Sequence, residues 1–423
     1  MSYRIVLAFL LLALSGCGDS DEGTPPPPPE PEFASAESCG HCHPNHLAEW
    51  KTSMHAFGGV DPVMQRMNEV ARIESGGPGI GESCIACHAP AAQRAGTHTM
   101  ALLEEGVSCD VCHSMADVPP IADIAFLAEL DPSGPKVAAM PAPVPNEAHE
   151  SLQRPFFATS AQCAPCHQVN FPGGKGLENT FVEWSNSNLS GMGIECQDCH
   201  MPEYSGQAAV DGPPRSNLHR HMFTGVDYAY EEFRGIDLAA QKEEIRTLLQ
   251  NSVTMTVHDV SSPAPGSPFN FQVTVLNDRT GHSIPSGVSF AREMWIEAIV
   301  SDGTGTTLLH SGSLQPSGDL VTTAEDPQLA FFGAIAYDAQ GHPTSMNFRA
   351  VSLDESRMIP FQESKTASYT TALPGGVMSP IHLEVVLRFR PVRPSMIREL
   401  GLDRLLPIEV FEMARFSEDF PIP

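Results

Sequence analysis

The sequence predicts an α+β multidomain protein, a mainly helical and loop-rich region followed by an antiparallel, immunoglobulin-like β-sandwich. Three observations predict it. The motif Cys-x-x-Cys-His occurs five times between residues 39 and 200. Apolar runs in that stretch are short and broken by Gly and Pro, so its helices are short and its loops long. From Ser252 the apolar period becomes two: Val253, Met255 and Val257 alternate with Thr254, Thr256 and His258, and Phe271, Val273 and Val275 repeat the pattern.

The five motifs organise the first region. They read Cys39-Gly40-His41-Cys42-His43, Cys84-Ile85-Ala86-Cys87-His88, Cys109-Asp110-Val111-Cys112-His113, Cys163-Ala164-Pro165-Cys166-His167 and Cys196-Gln197-Asp198-Cys199-His200. Each is the attachment signature of a c-type haem: two thiols form thioethers to the vinyl groups, and the adjacent histidine faces the iron. For a single copy, a redox dithiol or half a zinc site is the alternative. Five copies, each with a histidine directly after its second cysteine, do not suit it, because zinc makes no such demand. Ten of the 11 cysteines lie in the motifs, so none is left for a separate disulfide framework. Five covalently attached haem c groups are expected, with His43, His88, His113, His167 and His200 as proximal iron ligands. The helical domain is thus read as a pentahaem domain.

Residues 1–16 read as a lipoprotein signal peptide. Arg4 is a short positive region, and Ile5 to Leu14 is an apolar run too short to span a bilayer. Leu14-Ser15-Gly16-Cys17 resembles the bacterial lipoprotein box, which implies cleavage before Cys17 and lipidation of its thiol; an ordinary signal cut nearby is the alternative. Gly18 after the Cys, rather than Asp, implies the outer membrane. Acyl chains contribute about 0.8 kcal/mol per buried methylene, so several anchor firmly. Residues 17–34 are then the lipidated Cys and a linker, whose run Pro25 to Pro29 is stiff polyproline. The pentahaem domain covers residues 35–251 and the β-sandwich residues 252–423.

Short helices are expected at Pro44 to Phe57, at Pro62 to Glu74 behind an Asp61 cap, at Thr99 to Glu105, at Ile121 to Leu130 and at Glu178 to Leu189. The longest runs from Asp227 to Gln250. A Glu-Trp-x-x-Ser frame occurs twice, at Glu49-Trp50 and at Glu183-Trp184, read either as coincidence or as two tryptophans packed against haems. Strands are expected at Met294 to Val300, Thr307 to His310, Leu329 to Tyr337, Ala367 to Ala372 and His382 to Phe389.

A low-spin electron-transfer haem needs a second axial ligand, most simply a neutral imidazole. Twelve histidines remain outside the proximal positions. His55, twelve residues beyond His43, is too far along a helix for the same iron and suits another. His149 precedes the fourth motif by fourteen residues. His219 and His221 alternate across an extended segment and so point opposite ways. His98 is the fifth candidate, with His46 and His282 as competitors. Met54, Met192 and Met201 lie near motifs as possible thioether ligands.

These residues resemble the multihaem cytochrome c family related to the tetrahaem cytochrome c of ammonia oxidisers and to surface cytochromes of metal-reducing bacteria. The resemblance rests on the first motif with Glu49-Trp50 and Ser53-Met54-His55, on Ser83-Cys84 to Pro90, on Glu105 to His113, on Cys163 to Gln168, on Cys196 to Pro202 and on His219-Arg220-His221. It covers roughly Ser35 to Thr224. It implies haems packed in parallel and perpendicular pairs, and it supports His55, His149, His219 and His221 as distal ligands. The departure is five motifs against four in the best-known member. Asn277, Gly281-His282, Pro285-Ser286-Gly287 and Arg292 to Trp295 resemble, more weakly, a C-terminal module of other surface multihaem cytochromes.

The net charge of −27 excludes nucleic acid as a partner and favours basic or neutral ones. The expected function is electron transfer along five closely packed haems, to or from redox partner proteins or an extracellular acceptor. The protein would be exported and held at the outer membrane, on its periplasmic or cell-surface face, by its lipid. One alternative is a haem enzyme acting on small nitrogen or sulfur compounds at a five-coordinate iron. Another is a subunit of a haem filament. No catalytic constellation appears in the β region.

Overall fold

The computed structural model describes residues 33–77, 79–116, 127, 129–170 and 176–423. All of them belong to one compact unit. The signal peptide, Cys17, nearly all of the proline-rich linker and most of the expected helix from Ile121 to Leu130 lie outside the described residues. Among those described, no helix is long and apolar enough to cross a membrane.

The first region is a string of short helices joined by loops. It opens with α1 (Ala36–Gly40), α2 (Pro44–Trp50) and α3 (Met54–Phe57). One helix from Pro44 to Phe57 was expected. The chain breaks at Lys51 to Ser53 because the Ser53 hydroxyl caps a new start, accepting from the Ala56 N–H. Next comes α4 (Pro62–Ser75), where Asp61 accepts from the Met64 N–H and Gly76, at φ 69°, ends the helix in the left-handed region. Then follow α5 (Gly79–His88), α6 (Pro90–Ala95), α7 (Met100–Leu103), α8 (Cys109–His113) and α9 (Ala164–His167). The expected helix from Glu178 to Leu189 is two, α10 (Thr180–Ser185) and α11 (Asn188–Gly191), before α12 (Cys196–His200). A hairpin of Glu203–Gln207 with Pro214–His219 follows.

The last helix of this part, α13, spans only Leu238–Gln250, capped by Asp237 through the Ala240 N–H. Residues 227–237 are loop instead, because Asp227 is drawn to Arg292 and Tyr228 is buried in the β core.

In the C-terminal region two antiparallel sheets share one apolar cluster. One sheet orders Thr307–Ser311, Glu293–Ser301, Ile381–Arg390 and Phe411–Phe420, with Phe331–Phe332 also paired to Glu293–Ser301. The other orders Ser364–Ala372, Pro268–Leu276 and Thr254–His258. Phe269, Phe271, Val273 and Val275 alternate into the cluster and meet Met294, Ile296, Ala298 and Val300 of the facing sheet. Fully burying such a side chain is worth about 1.5–3 kcal/mol. The expected strand from Leu329 to Tyr337 is split at Gly333, whose φ of 155° few other residues adopt, and its second half joins a small third sheet.

The apolar clusters ignore the sequence boundary at Asn251. Ile245 and Leu249 of α13 pack into the sheet cluster, and Met67 of α4 packs with Met396, Ile397 and Leu400. Glu409, beyond Pro407, reaches back to Lys242 at 3.1 Å and donates its N–H to the Tyr228 hydroxyl at 2.9 Å.

Candidate haem sites

A helical turn puts residues i and i+3 on one side, so each motif presents its two thiols together with the following imidazole beside them. The ten motif cysteines are free thiols, with Cys42 and Cys199 exposed and the other eight half-buried. The proximal rings are anchored through one nitrogen. His43 Nδ1 is 2.7 Å from the Ala208 carbonyl, His113 Nδ1 2.6 Å from that of Val137, and His200 Nδ1 2.7 Å from that of Thr224. The His88 ring lies near the Gly58 backbone. His167 alone points Nδ1 at a carboxylate, Glu178, at 2.9 Å. Burial disfavours a charged His167, but Glu178 outweighs it and lifts the ring to about 9. With Nδ1 tied, Nε2 is left to bind a metal, the arrangement that fixes tautomer and ring orientation in metal-bound histidine. Paired unoxidised thiols beside an oriented imidazole fit covalent haem.

Thiols of different motifs lie close enough to influence one another: Cys39 and Cys109, Cys87 and Cys166, and Cys163 and Cys196. Cys112 acts electrostatically on both Cys163 and Cys166. The first motif therefore adjoins the third, the third approaches the fourth, and the fourth adjoins both the second and the fifth.

A metal–imidazole bond is about 2 Å, so two rings on opposite sides of one ion have centroids roughly 6 Å apart. Three proximal rings have such a neighbour. His43 faces His149 at 6.4 Å with planes at 26°, His113 faces His221 at 6.4 Å and 22°, and His167 faces His55 at 6.3 Å and 48°. His149 and His221 hold Nδ1 near the carbonyls of Glu150, at 3.0 Å, and His219, at 2.9 Å. His55 has a buried Nδ1 with no hydrogen-bond partner. Desolvation pushes His55 and His221 down to about 3, which keeps them in the neutral form that binds metal. His46 also lies 6.2 Å from His43, but its Nε2 bonds the Tyr204 hydroxyl at 3.0 Å.

The other two candidates are placed differently. Among the described residues no ring pair joins His219 to a proximal histidine. His98 is half-buried in the turn after α6. His219 ends the hairpin, its Nδ1 2.6 Å from the Met201 carbonyl and its Nε2 3.7 Å from Glu203.

The repeated Glu-Trp frame has a structural counterpart. Trp50 donates its indole N–H to the Val107 carbonyl, two residues before Cys109, at 2.9 Å. Trp184 donates to the Ile194 carbonyl, two residues before Cys196, also at 2.9 Å. Glu49 accepts from the His221 N–H at 2.9 Å, and Glu183 from the Ser283 N–H at 3.0 Å. Each tryptophan thus pins the start of a motif, and each glutamate pins a distant loop. Glu178 and the carbonyl anchors gave no sequence signal, because their partners lie 11 to 165 residues away.

Residues 38–114 match the model of a family described as cytochrome c554 and c-prime. No curated protein matches the chain. Among solved structures, a penta-haem cytochrome c552 from Thermochromatium tepidum superposes with a TM-score of 0.67 at 22% identity, covering 92% of this chain and 99% of that one. The fold is therefore that of a penta-haem cytochrome. The PapD-like domain 7 of human CEP192 aligns with 41% of this chain and 87% of its own at 9% identity, but its TM-score of 0.16 carries no argument.

Proposed function

We propose that this chain is a pentahaem c-type cytochrome that transfers electrons. The observation that carries the reading is the facing of motif imidazoles by a second imidazole at the separation of two axial ligands, His43 with His149, His113 with His221 and His167 with His55. Thiols of different motifs also lie near one another, so the porphyrin edges they would hold are neighbours. When bound, haem supplies one-electron chemistry. The residues of the chain do the rest: the cysteines fix spacing, and the tethered imidazoles would hold both faces of an iron. His43 with His149, His113 with His221 and His167 with His55 are the axial pairs. The route runs from the first motif through the third to the fourth, which branches to the second and the fifth. The penta-haem neighbour supports the count of five.

The lipoprotein-like start supports export, lipidation at Cys17 and an outer-membrane location, with redox proteins or an extracellular acceptor as partners. The facing sheets of the C-terminal region are read as an immunoglobulin-like sandwich. The test is haem quantitation with a redox titration of the mature protein. Five haems per chain that reduce in steps are expected. A protein carrying zinc, or no metal, overturns the reading.

One observation favours a second reading, that one haem binds small molecules. His88, like His200, has no ring pair with another histidine among the described residues, and charged groups surround it. Glu178 and Asp227 act on it electrostatically, and Asp227 holds the half-buried Arg292 in an ion pair. Adding cyanide or nitrite to the oxidised protein tests this. A spectral change confined to one haem is expected, and no change removes the reading.

A further inference from the structure

The duplicated Glu-Trp frame reaches further than the three axial pairs. In its first copy every partner can be named. Trp50 pins the third motif, and Glu49 pins the backbone of His221, whose ring faces His113 of that same motif. The glutamate and the tryptophan of one helix thus hold both sides of one haem site. In the second copy Trp184 pins the fifth motif, and Glu183 pins the backbone of Ser283, the neighbour of His282. We infer that His282, on a loop of the C-terminal β region, is the sixth ligand of the haem bound by Cys196, Cys199 and His200. The inference rests on the haem reading above.

The loop is built to hold that ring in place. His282 Nδ1 lies 2.9 Å from the Ser283 carbonyl, as His221 Nδ1 lies 2.9 Å from that of His219, so Nε2 is free in both. Asn277, fully buried, donates to the His282 and Ile359 carbonyls at 2.8 Å and accepts from Thr280 at 2.6 Å. Gly281, at φ 74°, sits against the second helix pair, where an added Cβ would lie 3.0 Å from Leu189 and 3.5 Å from Trp184. The Thr180 hydroxyl of α10 bonds that of Ser286 at 2.8 Å and accepts from the Gly287 N–H at 3.3 Å. The loop is therefore fastened to the two short helices that lead into the fifth motif. His282 and His200 lie close enough to interact electrostatically.

The consequence is that the β region completes a haem site that the first region leaves open on one side. The test is made on the full haem-loaded protein. Near-infrared magnetic circular dichroism counts bis-histidine haems, and electron paramagnetic resonance counts high-spin ones. The wild type is expected to hold at least four bis-histidine haems. His282→Ala should remove one of them, raise the high-spin count by one, and recover the low-spin signal when imidazole is added. His282→Met keeps a side chain of similar reach, and should exchange one bis-histidine signal for a histidine–methionine one. Either variant leaving the bis-histidine count unchanged overturns the inference, as does a wild type with five haems and three or fewer bis-histidine ones. A wild type without haem overturns instead the reading beneath it.

Discussion

The two halves of the molecule are held together by different means. After Asn251, two sheets bury one large cluster that includes Phe269, Phe271, Ile296, Leu383, Leu387 and Phe389, all fully or almost fully inaccessible. Before it, buried apolar residues form small separate groups, such as Ala36, Trp50 and Ala56, or Met64, Ile85, Ala89, Ala92 and Leu103. Helices of four to seven residues are too short to be stable alone. The first half thus borrows its core from the groups attached to its thiols, whereas the second half builds its core mostly from its own side chains, with Tyr228, Ile245 and Leu249 added from before Asn251.

The largest expected effect comes from taking those groups away. Cys163→Ser with Cys166→Ser blocks attachment at the motif that adjoins both the second and the fifth. Limited proteolysis read by mass spectrometry should then cut throughout residues 33–225 while Thr254 to Phe420 stays protected. Equal protection of both halves would erase the contrast. Leu387→Ala is the converse experiment. A cavity in the sheet core costs about 2–5 kcal/mol. It should lower the unfolding midpoint of the whole chain and leave the haem spectrum at room temperature unaltered.

Asp61 sharpens the contrast through pH. It is buried at the head of α4, and burial raises its carboxyl to about 7 despite the Met64 N–H. The unfolded chain ionises this group near its usual 3.8. Between these values the folded state holds the extra proton, so stability falls as pH rises through the window and levels off above 7. Asp61→Asn keeps a capping oxygen and should flatten that slope, gaining up to roughly 4 kcal/mol at pH 8. Urea titrations at pH 4, 6 and 8 read the change directly, and a slope that persists in the variant assigns it elsewhere.

The sequence carried a motif-bearing half and a period-two half, because thiol spacing and alternation are local patterns. Asp61, its helix and the strands through Phe271, Val273 and Val275 were legible for that reason. The extent of α13 was not: Asp227 and Tyr228 look helical until Arg292 and the sheet core claim them. The strand Phe411–Phe420 was missed because, beyond Phe411 and Met413, its burial loses alternation. Motif histidines announce themselves, whereas the proposed distal ones emerge only from a fold that brings His113 and His221, or His43 and His149, to one place. Trp50 and Trp184 lie between these cases, since their repeat was visible and their acceptors were not. Trp50→Phe and Trp184→Phe each remove one hydrogen bond, worth about 1 kcal/mol. The more deeply buried Trp50 should show the larger loss of thermal stability.

The smallest effect concerns a single potential. Three proximal imidazoles lean on backbone carbonyls, and His167 leans on the carboxylate of Glu178. A carboxylate draws the Nδ1 proton toward itself, so the ring becomes a stronger donor at Nε2 and favours the oxidised iron. The haem of the fourth motif should therefore be harder to reduce than its ligands alone imply. Glu178→Gln keeps the hydrogen bond and removes the charge. It should raise one midpoint by on the order of 60 mV, the equivalent of a tenfold change for a one-electron couple. The haem of the second motif should move less, since Glu178 acts on His88 without bonding it. The fourth motif adjoins the second and the fifth, so raising its potential eases the entry of an electron and hinders its departure. Stopped-flow reduction of the variant should then show faster filling of that site and slower onward transfer. A uniform shift of all five potentials would point instead to long-range charge, and a uniform absence of shift would leave Glu178 with a structural part only.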